Sequence, residues 1–76
     1  MARSLVNLIE AFVKNKKIKL SSAAWGRVRL IEREAKGRKI KPEGAVIKLK
    51  EEKELKGSLN EAEWKNIKEQ IEDIVD

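Results

Sequence analysis

Apolar residues at Leu5, Leu8, Ile9, Phe12 and Val13 recur at intervals of three and four, the repeat of one helix face. Ser4 stands just before them as a cap, so a first helix is expected from Ser4 to Asn15. Residues 16–20, KKIKL, alternate lysine with apolar side chains, the period of a short half-buried strand or of an extended linker. The helical period returns in LSSAAWGRVRLIEREAKG. There Ala24, Val28, Ile31 and Ala35 form a stripe with Trp25 at its edge. Ser21 caps this second helix, and Leu20 and Trp25 occupy the positions of a hydrophobic staple. Gly37 reads as the left-handed residue that ends the helix after Lys36.

Alternation appears again in RKIKPEGAVIKLK, residues 38–50, which read as a β-hairpin. Pro42 suits the second position of a type I turn, and a four-residue loop from Pro42 to Ala45 pairs Ile40 with Ile47 and Lys41 with Val46. Ile40, Ile47 and Leu49 then share one face, and Lys39, Lys41, Lys48 and Lys50 the other. A helix over 42–56 is the competing reading, but Ala45, Val46, Ile47, Leu49 and Leu55 scatter around its wheel. EEKELKGS, residues 51–58, is a polar connection. After it Leu59, Asn60, Glu63 and Trp64 repeat the grammar of staple and capping box, and a last helix is expected from Glu61 to Val75. Trp64, Ile67, Ile71 and Ile74 form its apolar stripe over two heptads. The two helix starts share the frame Leu-x4-Trp-x2-Val/Ile, which is one capping solution reached twice and not a repeat. The expected fold is α+β, a small single domain over residues 1–76 in the order α-β-α-β-β-α, with a basic hairpin and an acidic amphipathic C-terminal helix.

Composition narrows the chemistry. A chain of 76 residues buries only about 60% of its unfolded surface, so its core is marginal and a homodimer would reinforce it. There is no cysteine, histidine or tyrosine. Disulfides, thiolate chemistry and the commonest acid–base and metal-binding side chain are thereby excluded. No glycine-rich phosphate loop, nucleophile–base pair or metal-ligand spacing occurs, so neither enzymatic activity nor a cofactor, bound metal or small-molecule substrate is expected. Asn7 and Glu10 interrupt the apolar N-terminus, MARSLVNLIEAFV, which argues against a signal peptide. No run approaches 18 apolar residues. A cytoplasmic protein without membrane contact is expected, and the wealth of Lys, Glu and Ile suits a thermophile.

Charge is segregated along the chain. Residues 1–50 hold 14 Lys or Arg against 4 Asp or Glu, a net of +10, and residues 51–76, with the acidic helical part from 58, hold 4 against 9, a net of −5. A basic part of that strength is an electrostatic footprint for a polyanion. On the second helix, Ser22, Gly26, Arg29, Arg33 and Lys36 fall on the side opposite the apolar stripe. Gly26 costs about 1 kcal/mol relative to alanine inside a helix, which suggests a close approach to its backbone. Arg29 and Arg33, one turn apart, suit phosphate or guanine. Lys36 and Arg38 extend the track to the lysines of the hairpin. Glu32 and Glu34 are the acids that would neutralise these arginines if the face were merely solvated. The three aromatics, Phe12, Trp25 and Trp64, fall in apolar stripes and leave none for stacking on single strands, so a duplex or structured RNA is the better target. Of these, duplex DNA is expected more than RNA. The reading is a small DNA-binding regulator or architectural protein. The alternative is an interaction module, adaptor or inhibitor, that presents the stripe Trp64, Ile67, Ile71 and Ile74 of the acidic helix to a basic groove.

Residues 18–38, IKLSSAAWGRVRLIEREAKGR, resemble the strand-then-helix half of ribbon-helix-helix repressors, a fold that requires a second amphipathic helix next, where KIKPEGAVIKLK follows. The helix-then-basic-hairpin order is similar to part of a winged helix, one helix short. No site residue carries over from either.

Overall fold

The computed structural model describes residues 4–75, and among them it forms five helices and no strand: α1 (Leu5–Asn15), α2 (Ser22–Lys36), α3 (Pro42–Lys50), α4 (Lys53–Lys56) and α5 (Glu61–Val75). Three of these begin as their caps predict. Ser4 Oγ accepts the Asn7 N–H at 3.1 Å, and Ser21 Oγ accepts the Ala24 N–H at 3.1 Å. At α5 the capping box is closed in both directions. Asn60 Oδ1 accepts the Glu63 N–H and Glu63 Oε1 accepts the Asn60 N–H, each at 2.9 Å. Burial works to raise the Glu63 carboxyl. The Asn60 N–H and the Lys16 ammonium, 3.0 Å away, outweigh it and hold Glu63 below the usual carboxylate range.

The expected α+β fold is overturned: the chain is all-helical, and its order is α-α-α-α-α. Residues 38–50 contain no hairpin. Lys41 is the N-cap of α3 and Pro42 its first helical residue, where a missing N–H loses nothing and the fixed φ favours the helix. Glu43 follows in the first turn, and Lys48 and Lys50 lie in the last, so the charges also match the helix dipole. Ala45 and Leu49 are fully buried, with Pro42 and Val46 half-buried beside them, a spacing of i, i+3, i+4, i+7. Ile47 breaks the apparent pattern because it points to solvent, 62% exposed. Residues 16–20 are not a strand. They cross from α1 to α2 as an irregular segment with Leu20 buried and Ile18 half-buried. Both family resemblances fail on these two segments, since one needs the strand and the other the hairpin. The polar connection contains α4, whose Leu55 is fully buried.

The ends of α1 and α2 are closed by the same device. Lys17 and Arg38 adopt left-handed backbone, at φ 59° and 58°. The Ile18 N–H then reaches Val13 O, and the Lys39 N–H reaches Glu34 O, both at 2.9 Å. Gly37, expected to be the left-handed residue, has φ −80° and sits one position earlier.

One core joins all the helices. Its fully buried large side chains are Leu5 and Ile9 of α1, Val28 of α2, Leu49 of α3, Leu55 of α4, and Ile67 and Ile71 of α5. α5 packs against α1, α2 and α3, and α2 packs against α1 and α3. No helix among the described residues is long and apolar enough to cross a membrane.

Candidate nucleic-acid interface

The stripe of α2 goes to the core, with Ala24, Val28 and Ala35 fully buried and Ile31 nearly so. Burying that side turns the opposite side outward. Ser22, Gly26, Arg29, Arg33 and Lys36 are all exposed, on one line that rises about 21 Å along the helix. A methyl group at Gly26 would meet nothing within 4 Å, so no packing inside the fold requires glycine there.

The acids that alternate with these cations are engaged elsewhere. Glu32 is nearly buried, at 9% exposure, and its Oε2 accepts the Leu5 N–H at 2.9 Å. It thus satisfies the N-terminus of α1, where the helix dipole welcomes a negative charge. Glu34 turns to the other side, where Lys48 Nζ lies 3.5 Å from its Oε1. Arg29, Arg33 and Lys36 are left with no ion pair among the described residues. Together with Glu32 they line a shallow open depression of about 270 Å³. Its lining carries three cations and one carboxylate, which is turned toward α1.

The other cation of α2 is withdrawn from this face. The Arg27 guanidinium grips Glu52 in a bidentate pair, Nε to Oε1 and Nη2 to Oε2, the latter at 3.1 Å. The hydrogen bond and the adjacent charge raise Arg27 and hold the Glu52 carboxyl below its ordinary value against the opposing effect of burial. This pair ties α2 to the start of α4. It was not foreseen, because nothing in the spacing of EEKELKGS points to a residue 25 positions earlier.

Beyond α2 the expected cation track divides. Lys39 and Lys41 are exposed in the connection that follows Arg38. Arg38 itself turns to the end of α5, where its Nη2 donates to Val75 O at 3.4 Å. Lys48 and Lys50 do not share a face with each other, because a helix separates positions 48 and 50 by about 200°. Lys48 leans to Glu34 on α2, and Lys50 Nζ lies 5.4 Å from the centre of the Trp64 ring. The continuous lysine face belonged to the hairpin and disappears with it.

The stripe of α5 is not free for a partner. Trp64, Ile67 and Ile71 are buried in the common core, and Ile74 is half-buried against it. Phe12 and Trp25 likewise pack on the core. Comparison with protein-family models, curated proteins and solved structures gives no match, so any functional reading rests on the residues themselves.

Proposed function

We propose that this protein binds duplex nucleic acid, DNA in preference to RNA, through the outward line of α2. Arg29, Arg33 and Lys36 supply phosphate contacts, Lys39 and Lys41 extend them, and Ser22 and Gly26 leave room for the backbone to approach. The observation that carries this reading is the release of the three α2 cations from both neighbouring glutamates, one spent on the N-terminus of α1 and the other turned to α3. Free arginines one turn apart on an exposed helix face are suited to bidentate phosphate binding. With few base-reading side chains on the line, contacts to the sugar-phosphate backbone dominate and sequence preference is modest.

Fluorescence anisotropy of a labelled mixed-sequence DNA duplex, titrated at several salt concentrations, tests this. Five cations engaging five phosphates give a slope of log K against log salt of about −4.5. The double substitution Arg29→Gln/Arg33→Gln is expected to reduce the slope by about 2 and to leave the helical circular dichroism unchanged. Absence of binding at low salt defeats the proposal. Wild-type binding by the double variant removes α2 from it.

A further inference from the structure

We infer that a second copy of this chain docks on the first, the outer face of α3 in one copy covering the outward face of α2 in the other. The contact forms without nucleic acid and does not rest on the nucleic-acid reading.

Two large apolar side chains stand out in solvent among the described residues, Leu30 of α2 at 51% exposure and Ile47 of α3 at 62%. The charges left free around them are of opposite sign. On α2 the acids are engaged, Glu32 by the Leu5 N–H and Glu34 by Lys48. The cations Arg29, Arg33 and Lys36 have no ion pair among the described residues. Leu30 directly follows Arg29 and lies one turn before Arg33, about 60° around the helix from it. On α3 the roles are reversed. Lys48 goes to Glu34, and Lys50 lies over the Trp64 ring. Glu43 and Glu51 are exposed and have no ion pair among the described residues. They stand four residues before and four residues after Ile47, so the three fall on one line along α3 and its C-cap.

The chain thus carries both halves of one contact: an apolar side chain beside free cations, and an apolar side chain between free acids. A single exposed leucine or isoleucine is ordinary on a protein surface. The opposite charges around these two are what fit one copy to another. Covering Leu30 with the Ile47 of a second copy removes both from water and brings Glu43 and Glu51 to Arg29 and Arg33. The two faces differ, so the contact is head to tail, and each copy that docks leaves one face of each kind free for the next. Both faces are smaller than the about 20–30 residues a side of a standard interface, so the contact is weak and dissociates on dilution. It covers cations assigned above to phosphates, so a bound duplex excludes it.

Sedimentation equilibrium of the full chain, at low salt and without nucleic acid, tests this by following weight-average mass against concentration. A contact with a Kd on the order of 100 µM raises the mass at about 1 mM to at least about 1.5 times that of the monomer. Leu30→Glu sets an acid against Glu43 and Glu51, and Ile47→Lys sets a cation against Arg29 and Arg33. Each variant alone should therefore remain monomeric. Both positions are exposed, and thermal unfolding confirms that each variant is folded. An equimolar mixture of the two should regain association, because the first keeps its α3 face and the second its α2 face. A wild-type chain that is monomeric at about 1 mM overturns the inference. Association of either variant as strongly as wild type places the contact elsewhere and also overturns it. A mixture that stays monomeric overturns the pairing of α2 with α3. Duplex binding is read separately by anisotropy, so none of these outcomes decides it.

Discussion

Lys17 and Glu32 show how single residues set local stability here, one by a backbone cost and one by a buried hydrogen bond. A side chain in left-handed backbone is destabilising by about 1–2 kcal/mol, and Lys17 bears that cost at φ 59°. Lys17→Gly is therefore expected to raise stability by about 0.5–1 kcal/mol in urea unfolding, the gain reduced by the greater freedom of glycine in the unfolded chain. A loss of stability would show that the turn is not left-handed there. Glu32 makes the complementary case. Glu32→Ala leaves the Leu5 N–H without its acceptor and is expected to destabilise by about 1–2 kcal/mol. Glu32→Gln keeps an acceptor oxygen, so it should remain within about 1 kcal/mol of wild type while removing the one negative charge from the cation depression. Its affinity for duplex should rise, and an unchanged affinity would place the bound phosphates away from that depression. The cation line itself was legible from the order of residues, because helical spacing alone brings positions 22, 26, 29, 33 and 36 together. The fate of the acids was not, because the partner of Glu32 lies 27 residues away across the α1–α2 contact.

At the scale of elements, legibility followed the caps. α1, α2 and α5 each announce themselves by a polar cap and an uninterrupted apolar repeat, and each forms within a residue of its expected bounds. α3 was misread for two local reasons. Pro42 has one meaning in a turn and another at the first position of a helix, and a preceding alternation of lysine and isoleucine favoured the turn. Ile47 then supplied an apolar residue at strand spacing from Leu49, although it faces solvent. Gly37 misled in the same way, since proximity to the helix end marked it as the left-handed residue when Arg38 fills that role. These two isoleucine and leucine positions separate the architectures experimentally. Ile47→Lys is expected to change stability by no more than about 0.5 kcal/mol, as at an exposed site. Leu49→Ala should cost about 2–5 kcal/mol, as at a fully buried one. A hairpin that placed Ile47 and Leu49 on one buried face would make both substitutions severe, so comparable losses in chemical denaturation would contradict α3.

For the whole molecule the decisive element is α5. Its acidic outer surface and isoleucine stripe suggested a helix kept for a partner. Packing removes that freedom. α5 touches α1, α2 and α3 at once, and Ile67 and Ile71 are fully buried among them. The remaining helices cannot close over the space it leaves, because a domain this small has little apolar surface to redistribute. Truncation after Gly57 is therefore expected to abolish cooperative unfolding and most of the helical circular dichroism, and with them binding through α2. The single substitution Ile71→Ala, about 2–5 kcal/mol destabilising, should lower the midpoint of unfolding without changing the duplex affinity of the fraction that remains folded. A truncated chain that stayed helical and cooperative would mean that α5 is an appended binding element after all. Loss of folding in the truncation, with affinity retained in the folded Ile71→Ala protein, would separate the two duties of the chain: α5 holds α2 in place, and α2 makes the contact.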